Sequence, residues 1–80
     1  MFYSYILRSL KDGTYYYGST ENPEERIREH NAGKVKYTQG HLPYKLHFKE
    51  EFATRKEALA RERFYKSIEG YRWLKYNGII

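Results

Sequence analysis

The chain contains no cysteine, so neither a disulfide nor a thiolate-bound zinc can reinforce it, and nothing marks its redox compartment. No apolar run approaches the ~18–20 residues that a membrane-spanning helix needs. No charged-then-apolar leader opens the chain, and a soluble, cytoplasmic protein is expected. Several chemistries are missing as well. There is no Walker-type glycine loop and no HExxH zinc helix, and Ser4, Ser9, Ser19 and Ser67 lack acyl-transfer surroundings. The three histidines, His30, His41 and His47, do not have zinc-ligand spacing. Repeats, linkers and low-complexity segments are absent too.

What is present is a short, basic, tyrosine-rich chain. Its 80 residues suit a single domain, 1–80. A chain this small buries only roughly 60–65% of its unfolded surface. Ten tyrosines and an aromatic content of 19% compensate, because each ring buries a large area. The net charge of +5 favours a polyanionic partner, nucleic acid first.

Phe2 to Arg8 (FYSYILR) is rich in aromatic and β-branched residues and predicts a strand. A turn at Lys11-Asp12-Gly13-Thr14 leads into a second strand over Tyr15 to Ser19. Asn22-Pro23-Glu24-Glu25 combines an N-cap residue, a first-turn proline and first-turn acids. The helix it opens should end near Asn31 or Ala32, with Gly33 as its C′ residue. Lys34 to Pro43 has no period and reads as an ordered loop. Tyr44 to Phe52 begins with partial alternation and predicts a third strand. Thr54-Arg55-Lys56-Glu57 is a capping box opening a second helix to about Ile68. Gly70 should break that helix, leaving a short third one over Tyr71 to Asn77, closed by Gly78. The order ββαβαα predicts an α+β fold, a three-stranded antiparallel sheet packed with helices.

Chemistry could sit at three places. A two-residue turn at Asp12-Gly13 would pair Tyr5 with Thr20, whereas a longer loop centred two residues earlier would pair it with Tyr16. Both registers put Tyr5 and Tyr16 on one face of the sheet. Gly18 leaves a bare patch on that face for another group to approach the backbone. Such tyrosines can also be simple sheet filler. On the first helix, Ile27 is the expected apolar anchor, and Arg26 and His30 share a face at i and i+4, as functional groups or as solvated surface. On the second helix, Ala58, Leu59, Tyr65 and Ile68 trace an apolar stripe that contains Glu62. A carboxylate there needs a partner: a hard cation such as Mg²⁺, or a salt bridge to Arg26 or Arg61.

These spacings coincide in a pattern that resembles the GIY-YIG endonuclease superfamily, in particular its small stand-alone bacterial members, themselves similar to the N-terminal nuclease domain of the excision-repair protein UvrC. Tyr3-Ser4-Tyr5 stands where GIY is expected, and Tyr16-Tyr17-Gly18 where YIG is expected. Arg26 matches the helix arginine, and Glu29-His30-Asn31-Ala32-Gly33 the EHN-x-G that closes that helix. Tyr37-Thr38 resembles the family's loop and Glu50-Glu51-Phe52 the end of its third strand. Ala58 to Lys66 matches A-x-x-x-E-x-x-x-K, with Glu62 as the metal-binding position. The similarity covers essentially the whole chain. It departs at Tyr3, Ser4 and Tyr17, at Ser19 where some relatives carry lysine, and at Asn77, set against a C-terminal asparagine of several catalytic members.

The resemblance implies a metal-dependent endonuclease acting on nucleic acid, DNA favoured, and hence a possible role in DNA repair. Glu62 would hold one Mg²⁺ (or Mn²⁺) against a phosphate oxygen and the leaving 3′ oxygen. Arg26 would stabilise the pentacovalent transition state. Tyr5 or Tyr16 would orient and deprotonate water, with His30 assisting. Gly18, Lys34, Lys36, His41 and Lys45, together with Lys49, are the expected nucleic-acid contacts. The chain is expected to be a monomer that draws its targeting from a partner protein or an unusual nucleic-acid shape. A nucleic-acid-binding module of the same fold without cleavage is the alternative, and a purely structural protein–protein adaptor a third.

Overall fold

A computed structural model describes all residues 1–80. Strands β1 (Phe2–Ser9), β2 (Tyr15–Thr20) and β3 (Tyr44–Phe52) form one antiparallel sheet in the order β2-β1-β3. Helix α1 (Pro23–Asn31) follows β2, and α2 (Arg55–Tyr65) and α3 (Ile68–Tyr76) follow β3. The α+β class and the order ββαβαα are as expected. No helix is long and apolar enough to cross a membrane.

The helix starts obey local rules. Asn22 accepts the Glu25 N–H at 3.1 Å, with Pro23 at the first helical position. Thr54 and Glu57 exchange the two hydrogen bonds of a capping box, at 3.2 and 3.1 Å. Gly33, at φ +77°, stands just beyond α1 where the chain leaves the helix.

Three expectations need correction. Lys36–His41 is a turn of 3-10 helix inside the stretch read as loop. It has no apolar period because its one buried residue is Thr38. Helix α2 stops at Tyr65 rather than near Ile68, and α3 begins at Ile68 rather than Tyr71. Ser67 caps α3 by accepting the Gly70 N–H at 3.0 Å, so Gly70 lies in the first turn of a helix instead of breaking one. A Cβ at Gly70 would run into the Phe64 carbonyl, and its absence lets the two helices meet. Consequently the stripe of α2 is misdrawn in its outer members. Ala58 and Tyr65 are buried at 1%, but Leu59 is 36% exposed and Ile68, on the next helix, 74%.

The hairpin register falls between the two anticipated. Ser9 and Thr14 close a four-residue loop, which pairs Tyr5 with Gly18 and Leu7 with Tyr16. Because side chains alternate, Tyr5, Gly18 and Tyr16 still share one face. That face packs Tyr5, Leu7 and Tyr44 against Ile27 of α1. The other packs Ile6 against Tyr65 and Leu74, with Phe48, Phe64 and Trp73 around them. The central strand is thus buried on both sides, which explains its near-continuous apolar run.

Candidate active site

The site grows from the Tyr5–Gly18 pair. A Cβ at position 18 would strike the Tyr5 hydroxyl and Cζ, so the bare backbone of Gly18 is the bed on which the Tyr5 ring lies. Tyr5 is only 2% exposed. Its hydroxyl faces His30 Nε2 at 3.4 Å. His30 is fully buried on a helix that is otherwise polar, which removes the solvated-surface alternative for it. Asn31 brings it there: its amide donates to the Tyr44 carbonyl at 3.0 Å and accepts the Tyr44 N–H at 2.7 Å, clamping the end of α1 to β3.

Thr38 sets the chemistry of the imidazole. Its hydroxyl donates to the Val35 carbonyl at 3.1 Å, so Oγ1 is left to accept from His30 Nδ1 at 2.9 Å. The proton then sits on Nδ1, and Nε2 presents a lone pair to the Tyr5 hydroxyl. Burial, reinforced by the positive charge of Arg26, lowers the His30 pKa to about 4. The ring is therefore neutral at pH 7 and accepts a hydrogen bond from Tyr5. No buried side-chain polar atom in the molecule lacks a partner.

Arg26, one turn before His30, turns its guanidinium to the same phenol, close enough to lower its pKa without completing a hydrogen bond of regular geometry. It also pairs with Glu29 at 3.5 Å. Burial outweighs Arg26, and Tyr16 and Glu62 add to it, so Tyr5 is pushed up to about 12. Tyr16 stands half-buried with its ring 4.8 Å from the His30 ring, edge-on, and 6.4 Å from that of Tyr5. Tyr5, Tyr16, Arg26 and His30 are thus gathered at one place.

Glu62 approaches from the other side of the sheet, on α2. Its side chain is 20% exposed and ion-paired with Lys66 at 2.8 Å, not with Arg26 or Arg61. Its charge still reaches the Tyr5 phenol. Between α1 and the start of α2 runs an open groove of about 470 Å³, walled by Ser19, Thr20, Arg26, Glu29, Arg55 and Ala58. Ser19 thus stands in the groove wall. Arg55 was not anticipated; only its position three residues before Ala58 hinted at it.

The expected nucleic-acid contacts scatter. Lys34 and Lys36 are exposed, Lys34 just before the 3-10 turn and Lys36 at its first position. His41 Nδ1 is engaged by the Asp12 carboxylate at the hairpin loop. Lys45 pairs across the sheet with Arg8 and so projects on the face opposite His30. Lys49 is held by Glu24 at 3.5 Å and by the Tyr3 ring. Asn77 caps α3, donating to the Trp73 carbonyl at 2.8 Å.

Comparison with known proteins gives a consistent answer. The GIY-YIG catalytic domain matches residues 1–77. A UPF0213 protein of Bacillus licheniformis is 46% identical over 67 residues, 82% of this chain and 68% of that protein. One of Halobacterium salinarum is 41% identical over 69 residues, 85% of this chain and 88% of that protein. A UPF0213 protein of Streptococcus pneumoniae is 42% identical over 65 residues, and there the match spans 65% of the relative's length. The solution NMR structure of a UPF0213 protein from Bacillus halodurans superposes with a TM-score of 0.53 at 36% identity, covering 95% of this chain and 84% of that one. The chain belongs to the GIY-YIG family of nuclease-type domains, among its small UPF0213 members.

Proposed function

We propose that this domain is a metal-dependent endonuclease that hydrolyses phosphodiester bonds in nucleic acid, with DNA the substrate to test first. The observation that carries the reading is the Tyr5–His30 contact beneath Arg26, with Tyr16 at its edge and a groove alongside. Ionising Tyr5 at pH 7 costs roughly 7 kcal/mol with its pKa near 12. A phenolate base is therefore a poor use of this residue, and a relay fits better. As water attacks phosphorus and the P–O bond to the leaving oxygen breaks, the water proton passes to the Tyr5 oxygen. The Tyr5 proton passes to the free lone pair of His30 Nε2. Tyr16, less buried and in contact with His30, orients the water. Arg26 in the groove wall offsets charge building on the phosphate.

Mg²⁺ or Mn²⁺ fits the donors present, since such ions commonly bind through one or two carboxylates, waters and the substrate phosphate itself. Glu62 would hold it, and when bound the ion would supply Lewis-acid stabilisation of the phosphate. Lys66 would have to release the carboxylate it now engages. That engagement, together with Ser19 in place of lysine, supports the second reading, a binding module without cleavage. Incubation with supercoiled plasmid or branched DNA in Mg²⁺ or Mn²⁺ separates the two. Nicking that vanishes in Glu62→Ala, with binding retained, supports the enzyme. Binding without nicking in either metal overturns it.

A further inference from the structure

We propose that Tyr37 is a stacking platform for one unpaired nucleobase beside the cleavage centre, which directs this domain to single-stranded or locally unpaired nucleic acid. The proposal rests on the nuclease reading above and adds the form of the substrate. Tyr37 is 80% exposed; Tyr76 is more so at 91%, but of the two only Tyr37 sits beside Tyr16. It is not a frayed side chain on a loose loop. The turn that carries it is pinned on both sides. Thr38 is fully buried against His30, the Gln39 amide donates to the Gly33 carbonyl at 2.6 Å, and Ser9 donates to the His41 carbonyl at 2.6 Å. A ring held out by a fixed backbone has little freedom left to lose when it binds a flat partner.

Its position is equally specific. The Tyr37 ring lies 5.9 Å from that of Tyr16, tilted by 49°, and Tyr16 in turn abuts His30. Even beside Tyr16, most of the Tyr37 ring stays open to solvent. Lys34 and Lys36 precede Tyr37 on the same segment, both are exposed, and neither is paired with a carboxylate. An exposed aromatic face on a segment that also carries unpaired cations is the combination that holds single strands: the ring stacks on a base of any identity and the ammonium groups follow the phosphates. Bases inside a duplex are stacked on their neighbours and cannot offer a face. The same tyrosine that gives affinity would therefore discriminate against intact duplex.

The test is a fluorescence titration of the full chain, without divalent metal, against a short oligonucleotide carrying 2-aminopurine, once as a single strand and once annealed. The expected result is quenching of the single strand, with affinity falling ~10-fold in Tyr37→Ala, kept in Tyr37→Phe, and duplex binding unchanged by either. Tyr37→Leu, which keeps apolar bulk without a π face, should behave like the alanine variant. Equal single-strand affinity in wild type and Tyr37→Ala, or a parallel loss on duplex, overturns the proposal. Failure here with metal-dependent nicking intact leaves the nuclease reading standing, whereas no binding of either form together with no nicking in Mg²⁺ or Mn²⁺ sinks both.

Discussion

Tyr5 and Tyr65 are both buried almost completely, one on each face of the sheet, yet their hydroxyls meet opposite surroundings. Tyr65 donates to Glu50 at 2.5 Å, and Glu50 is also held by Arg61 at 2.8 Å. Arg61 is itself wedged against the rings of Phe64 and Trp73, 4.5 and 4.4 Å from their centroids. Burial first, and then the Glu50 carboxylate, raise the Tyr65 pKa, and every member of that network is committed to another. Tyr5 instead faces a neutral imidazole lone pair and a guanidinium that opens onto a groove. One face spends its polar groups on holding helices together. The other places a phenol, a neutral imidazole and a guanidinium beside a groove, where the proposed reaction would use them.

The contrast can be broken most forcefully at Arg26. Arg26→Ala should cut the cleavage rate about 100-fold, the scale of losing one charge-stabilising donor, with little change in melting temperature. Steady-state nicking alongside thermal denaturation checks it, and a folded, fully active variant would remove Arg26 from the chemistry. On the opposite face, Gly70→Ala forces a Cβ into the Phe64 carbonyl and should cost roughly 2–3 kcal/mol or more in chemical denaturation. Its rate per folded molecule should stay near wild type.

The pH dependence sharpens the comparison, because His30, on the α1 face, has a depressed pKa. Unfolded His30 takes a proton near its ordinary value of 6.5, whereas the folded ring resists until about 4. Between those values the unfolded chain binds more protons, so stability should fall as pH drops through the window, by at most roughly 3 kcal/mol. Urea titrations from pH 7 to 4 should show the loss, and His30→Gln should flatten it. Thr38→Val strips the acceptor from His30 Nδ1 and should cost about 1–2 kcal/mol. Nitrogen NMR of the ring should then reveal a mixed tautomer, where wild type shows the proton on Nδ1. The smallest effect belongs to Tyr65→Phe. Glu50 keeps Arg61, so a loss of about 1 kcal/mol with no change in rate is expected.

How much of this could be read from the residues follows from how local each cause is. Asn22-Pro23 and the Thr54–Glu57 box act within one turn, and both helices begin where those residues predict. That Tyr5 and Tyr16 share a face survived an incorrect register, because alternation tolerates a shift of the pairing by two. Positions set by distant neighbours were harder. His30 looks like surface on a polar helix, and its burial depends on Thr38 and on Asn31 reaching Tyr44. Gly70 reads as a helix breaker unless the Phe64 carbonyl above it is known. The salt-bridge alternative for Glu62 fails for a similar reason, since Arg26 and Arg61 are already taken by Glu29 and Glu50.

The most direct measurement sets two arginines against each other. Purified wild type, Arg26→Ala and Arg61→Ala would each be assayed for Mg²⁺-dependent nicking and for melting temperature on the same preparation. Arg26→Ala should keep its melting temperature and lose cleavage, while Arg61→Ala should melt several degrees lower and cleave normally when folded. Cleavage lost with Arg61 and retained without Arg26 would contradict the division of labour between the two faces.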